Sequence, residues 1–211
     1  MRRQLLLALP NTHGGRRRGA GRKRKGKSCV PHTRRPYHEK NQPVHITVRL
    51  RDRAPSLRGM KTYPVVLDAI ARSRKNDFAI LHFAAESTHL HLLIEASSTI
   101  ALSKGMQGLN TRITRAVNKL HHRRGTIWDD RYHLHALKSP TEMRNALAYV
   151  LLNHQHHSPG ASGIDPCSSG YWHPDWHAAP EGPPPVSPPR TWLAAHGWRR
   201  AGRFLPSPNR Y

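Results

Sequence analysis

The chain has 211 residues, with 35 lysines and arginines against 12 acidic residues and a formal charge of +23 with its 17 histidines neutral. Its length suits one domain with tails. Its hydrophobic content of 36 %, below the ~45–50 % of average globular chains, leaves room for one modest core. So basic a surface attracts polyanions, which makes nucleic acid or an anionic membrane the expected partner.

No window of 18 apolar residues exists, which excludes a helix spanning a bilayer. Residues 5–9 (LLLAL) follow two arginines but fall short of the ~7–15 apolar residues of a secretory signal. Cys29 and Cys167 make neither a disulfide framework nor a zinc quartet, and this reads as a reducing, cytosolic setting.

Residues 1–42 read as a flexible basic arm. Residues 16–27 (RRRGAGRKRKGK) carry eight cations and no acid. Self-repulsion and glycine oppose packing there. Arg16, Arg17, Arg18, Arg22, Lys23, Arg24 and Lys25 are candidate phosphate contacts.

Residues 43–157 carry regular periodicity. Residues 44–50 (VHITVRL) alternate and are β-branched, which predicts a strand. Residues 62–75 predict a helix, with Thr62 as N-cap and Pro64 in the first turn. Residues 78–85 and 90–96 predict strands joined by a turn at 86–88. A long helix follows over 100–121, with Leu102, Met106, Leu109, Ile113, Val117 and Leu120 along one face. Arg112, Arg115 and Lys119 make a basic stripe on another face. Residues 132–137 predict a fourth strand. The last helix opens on Ser139-Pro140-Thr141-Glu142, with serine at N-cap, proline at N1 and glutamate at N3, a capping box. Met143, Leu147, Val150 and Leu151 form its buried side.

The order β α β β α β α predicts an α+β, ferredoxin-like fold. It has one four-stranded antiparallel sheet with two helices on one face. The other face is left for nucleic acid or for the last helix. Residues 158–211 hold 11 of the 18 prolines. Tyr171, Trp172 and Trp176 precede the polyproline-like stretch 180–190, and Trp192 and Trp198 follow it. Exposed tryptophan is costly, which predicts that this tail docks on the core; stacking on unpaired bases is the other reading.

The stretch 88–95 (THLHLLIE) is the most informative. On a strand, His89 and His91 share a face with Leu93 and Glu95. Two adjacent imidazoles suit a divalent ion, although packed histidines give the same spacing, and His133-Leu134-His135 repeats it. On the last helix Tyr149 and Asn153 stand at i and i+4, with His156 one turn on. If that side rests near His89 and His91, Asn153 can offer a third, oxygen ligand and Tyr149 is placed as a nucleophile. Glu95 is a candidate base or a surface glutamate. His45 shares the site or serves structure, and Tyr132 is the reserve nucleophile.

The combination resembles the single-tyrosine HUH transposases, in particular the REP-associated tyrosine transposases and related insertion-sequence transposases. The matching segments are 88–94 (THLHLLI), 125–132 (GTIWDDRY) and 146–154 (ALAYVLLNH), together with THGGRRRGAGRK, PVHITVRL and PRTWLAAHGWRR. Thr88 stands where the family often has asparagine, and His154 where many members have proline. The resemblance implies a Mg²⁺ or Mn²⁺ ion held by His89, His91 and Asn153. It implies attack by Tyr149 on a phosphodiester, leaving a 5′-phosphotyrosine and a 3′-OH. The implied substrate is single-stranded DNA folded as a hairpin. The protein is expected to be a monomer or homodimer in the cytoplasm, associated with the nucleoid, with no membrane partner. The alternatives are a non-catalytic nucleic-acid-binding protein and a metal-dependent single-strand nuclease. An RNA-binding sheet of the RRM type is disfavoured because VHITVRL and LHLLIEA lack aromatics.

Overall fold

The structure, a computed structural model, describes residues 37–157, 163–176 and 180–202, with backbone alone at 156 and 157. The cations at 16–25 lie outside the described residues. Four strands form one antiparallel sheet in the order β2-β3-β1-β4. These are β1 (Val44–Arg49), β2 (Phe78–Ala85), β3 (His89–Ala96) and β4 (His133–Ala136). α1 (Thr62–Ala71) connects β1 to β2, and α2 (Thr99–Leu120) connects β3 to β4. The sheet is the ferredoxin-like arrangement expected from the element order.

Strand alternation divides the side chains between two layers. Ile46, Val48, Leu90, Leu92 and Ile94 face α1 and α2, where they meet Val66, Ile70, Met106, Leu109, Ile113 and Val117 in one core. Leu93 faces the other way. There it packs with Met143, Leu147, Val150 and Leu151 of α3 (Pro140–His157). The second sheet face is therefore taken by the last helix. In β2 a register shift lies between Ile80 and His82. A bulge adds a residue and reverses the parity of the strand beyond it. As a result Phe78 and Ile80 before it, and Phe83 and Ala85 after it, all enter the α1–α2 core.

Some boundaries differ from expectation. Thr62 is the first helical residue and not the cap; Lys61 holds that position without a side-chain bond. The Thr62 hydroxyl instead pairs with His121 Nε2 at 2.9 Å. α1 ends at Ala71, short of residue 75. Lys75 and Phe78 bond each other's backbone at 2.9 and 3.2 Å, and this turn into β2 stops the helix. α2 is capped by Ser98, whose side chain accepts from Ala101 N. At α3 the Glu142 amide donates to Ser139 Oγ at 3.2 Å. The Glu142 carboxylate takes the Lys138 amide at 2.6 Å, so the reciprocal half of the box falls one residue early.

The Pro- and Trp-rich segment docks. Ser168 bridges Ala84 in antiparallel fashion. Ala85 N donates to Cys167 O at 2.8 Å, Ser169 N to Phe83 O at 2.9 Å and Ser187 N to Ile80 O at 2.7 Å. This covers the outer edge of β2. Trp176, Trp198 and Ala194 of the short α4 (Trp192–Ala195) join the core under α3. Trp192 stays 51 % exposed, with Arg200 4.8 Å from its ring centre. At the other end of the described chain, His38 is buried and its Nε2 meets Ala96 O at 3.0 Å.

Candidate active site

β1 lies between β3 and β4, and its register sets the site. Thr47 stands opposite His91 and Arg49 opposite His89. His45 stands opposite His135 and Thr47 opposite His133. Directly paired residues share a face. His45, Thr47, His89, His91, His133 and His135 thus belong to one sheet face, the one that receives α3. α3 is held there by Met143, Leu147, Val150 and Leu151, all buried. That seating brings its neighbouring Tyr149 over the strands.

The His89 and His91 rings lie 4.5 Å apart and nearly perpendicular, at 89°. His91 Nδ1 is 3.1 Å from Thr47 Oγ1 and 3.3 Å from His45 Nε2. In the tautomer in which His91 Nδ1 donates to one of these atoms, the ring's lone pair lies on Nε2, the form needed for a ligand. Burial, with a lesser contribution from His135, pushes His45 down to about 4, so near neutral pH it is uncharged. The Tyr149 ring is 5.0 Å from the His91 ring and 5.6 Å from the His45 ring. Tyr149 is 43 % exposed, which leaves its phenol open to a large substrate.

Asn153 reaches the same hairpin by another route. It is 1 % exposed, and its Nδ2 donates to Glu86 Oε1 at 3.2 Å. Glu86 N in turn donates to His89 O at 2.8 Å. Beyond Glu86 stands Arg58, with Nη1 3.7 Å from Glu86 Oε2. Arg58 also makes a two-pronged pair with Asp165, at 2.8 Å on each arm. That hydrogen-bonded pairing, against the opposing effect of burial, raises the Arg58 pKa.

Of the sequence candidates, His89, His91 and Tyr149 meet through their rings, and Asn153 lies one residue's bonding from His89. Thr47, Glu86 and Arg58 were not anticipated. Thr47 follows His45 by two on a strand, so alternation could have found it; the Glu86–Asn153 pairing spans 67 residues and leaves no local signal. Glu95 is not at the site. It is fully buried and accepts from Arg190 N at 2.7 Å and Thr191 N at 3.1 Å. Six residues of strand place it about 20 Å from His89. Tyr132 packs against the α1–α2 core, and the His156 side chain lies outside the described residues. Arg112, Arg115 and Lys119 are exposed on α2, in the layer on the opposite side of the sheet.

The donor chemistry suits a hard or borderline divalent ion. Among the described residues no three His, Cys, Asp or Glu side chains cluster as a metal cage. The imidazoles suit a borderline divalent ion better than Mg²⁺, while an amide oxygen and positions open to water and phosphate oxygens suit Mg²⁺ or Mn²⁺. Among the described residues no helix is long and apolar enough to cross a membrane.

Comparison with known proteins agrees with this architecture. The solved structure of a REP-associated tyrosine transposase bound to a REP hairpin shares the fold. It is 22 % identical, covers 61 % of this chain and 75 % of its own, and has a TM-score of 0.51. A putative transposase from Deinococcus radiodurans R1 is 14 % identical over 63 % of this chain and 97 % of its own, with a TM-score of 0.40. No curated protein matches. Residues 39–152, more than half of the chain and all four strands with most of α3, match the family described as transposase, IS200-like, and the chain belongs to that family.

Proposed function

We propose that this transposase cleaves and rejoins single-stranded DNA through a covalent bond to Tyr149. The observation that supports this reading most is the position of Tyr149, its ring 5.0 Å from His91 of the same chain. The phenol oxygen attacks phosphorus in line, forming the tyrosine O–P bond as the P–O3′ bond breaks. The phenol gives up its proton as the O–P bond forms, and the leaving 3′ oxygen takes one up, so the protons balance and a free 3′-OH results. The product is a 5′-phosphotyrosine, in which the bond energy is kept, so another 3′-OH can reverse the step and join strands.

His89, His91 and Asn153 are the residues that would hold Mg²⁺ or Mn²⁺, and the ion supplies Lewis-acid neutralisation of phosphate charge. Thr47 and His45 can each accept from His91 Nδ1, the arrangement that leaves Nε2 for the ion. A phenol ionises near pH ~10 in water, so charge neutralisation at the phosphate must do much of the work.

The substrate we infer is a DNA hairpin with an unpaired strand at the site; the REP-associated relative is bound to a hairpin. Arg112, Arg115 and Lys119 would contact phosphates on the far side of the sheet, and the cations at 16–25 (Arg16, Arg17, Arg18, Arg22, Lys23, Arg24, Lys25) others. Such an enzyme works beside chromosomal DNA in the cytoplasm.

Tyr149→Phe tests the reading. On a denaturing gel with single-stranded hairpin oligonucleotides and Mn²⁺, the parent should form a protein–DNA adduct. The variant should form none while still shifting DNA on a native gel. Cleavage by Tyr149→Phe at the parent's rate would sink the assignment and favour a water-using nuclease. Binding without cleavage by the parent would favour a non-catalytic module.

A further inference from the structure

We propose that Glu86 is a positioning residue that orients the Asn153 amide toward a divalent cation, and that Arg58 and Asp165 hold Glu86 in place. The inference rests on the reading of Asn153 as a cation ligand. It adds a chain of three residues to the site, and the last of them lies outside the family-matching region 39–152.

The two ends of an asparagine amide have the same shape and opposite chemistry. The oxygen can bind a hard cation; the NH₂ group can only donate hydrogen bonds. What decides the orientation is the neighbour. A carboxylate only accepts, so the end of Asn153 that lies 3.2 Å from Glu86 Oε1 must be Nδ2. Oδ1 is then the end left to a cation. Without Glu86 the buried amide would have no charge-assisted bond to select that orientation.

Glu86 is itself well placed for the task. Its backbone amide is bonded to His89 O at 2.8 Å. It therefore ties the amide ligand on α3 to the hairpin that carries both imidazoles, and sets their relative position. Its side chain is 8 % exposed, so its charge needs compensation. Arg58 stands 3.7 Å away and is fixed by its paired bonds to Asp165 and a bond to Ala85 O at 3.2 Å. Asp165 also accepts from Cys167 N at 3.0 Å, beside the segment that pairs with the edge of β2. The order of support is Asp165, Arg58, Glu86, Asn153. Outer-shell partners of this kind typically change metal affinity about 10–100-fold when removed.

The test reads cation binding directly. Tyr149→Phe protein, which cannot turn over, is titrated with Mn²⁺ and free Mn²⁺ is followed by electron paramagnetic resonance. Asn153→Ala and Glu86→Ala should each weaken Mn²⁺ binding about 10–100-fold, with DNA affinity in the absence of metal unchanged. The double variant should be no weaker than the worse single one, because Glu86 acts through Asn153. Arg58 keeps Asp165 in all of these, so no cation is left alone in the interior. If Glu86→Ala does not fold, Glu86→Gln serves, since a glutamine can turn its own NH₂ to Asn153 and let the amide reverse; a several-fold loss is expected. Mn²⁺ affinity equal to the parent's in a folded Glu86 variant would overturn the proposal. So would single losses that multiply in the double variant. An Asn153→Ala protein that binds Mn²⁺ as the parent does would instead remove the ligand assignment beneath it.

Discussion

A histidine ligates through one ring nitrogen, and the partner of the other nitrogen chooses which. At His91 that partner is on β1, where Thr47 and His45 both meet Nδ1. Thr47→Val keeps the shape and removes the hydroxyl. The loss of one hydrogen bond should cost about 1 kcal/mol of stability, seen as a small drop in melting temperature. Under the proposed function it should also weaken Mn²⁺ binding by about tenfold, and an unchanged binding isotherm would show that His45 alone suffices. The four proposed chemical residues could be picked out in the sequence only through the resemblance to the HUH transposases; spacing put His89 with His91 and Tyr149 with Asn153 on shared faces but equally fitted packed side chains. Their supports were not picked out. Glu86 and Asn153 are brought together by the seating of α3 on the sheet, and nothing local encodes that.

At the scale of elements, the sequence located β2 at its observed bounds but not its bulge. FAILHFAA is apolar nearly throughout, so alternation could not show where the parity turns. The basic stripe of α2 was found, and the element order already put α1 and α2 together on one face of the sheet. Which face a helix takes depends on the handedness of its crossover and not on its own pattern. α2 also contains a contact the pattern hides. A β-carbon on Gly105 would come within 2.1 Å of the Phe78 ring. Exchanging glycine for alanine inside a helix ordinarily gains up to about 1 kcal/mol. Here overpacking should reverse the sign. Gly105→Ala should lose about 1–3 kcal/mol, measured by urea unfolding, and a stabilised protein would mean that α2 can move off β2.

Across the whole molecule, the charge of +23 foretold a polyanion but not the reaction. It also hid the histidines that matter to stability. His82 and His173 lie with ring centres 5.5 Å apart where the Trp-rich segment meets β2. Burial, then the charge of His173, pushes His82 down to about 3. Burial likewise pushes His173 down to about 4, Asp175 opposing and Arg199 adding. Unfolded histidines take up protons near pH ~6.5, whereas these stay neutral in the fold. Between those values the unfolded chain binds more protons, so stability falls as pH falls. The slope should be about 1.4 kcal/mol per pH unit for each of the two. Melting followed by tryptophan fluorescence at pH 7, 6 and 5 should show a stepwise fall; equal midpoints at pH 7 and pH 5 would refute it.

The pairing of residues 167–169 and 187 with the edge of β2 also has a consequence in time. Ile80 of β2 finds its Ser187 partner 107 residues later. At ~5–20 residues per second of synthesis, that partner is made roughly 5–20 s after it. During that interval β2 presents an open edge, the kind of surface on which chains pair with the wrong neighbour. Contacts so distant in sequence also form slowly. For this chain the hazardous moment of folding falls on the ribosome, before the segment that closes the sheet has been translated.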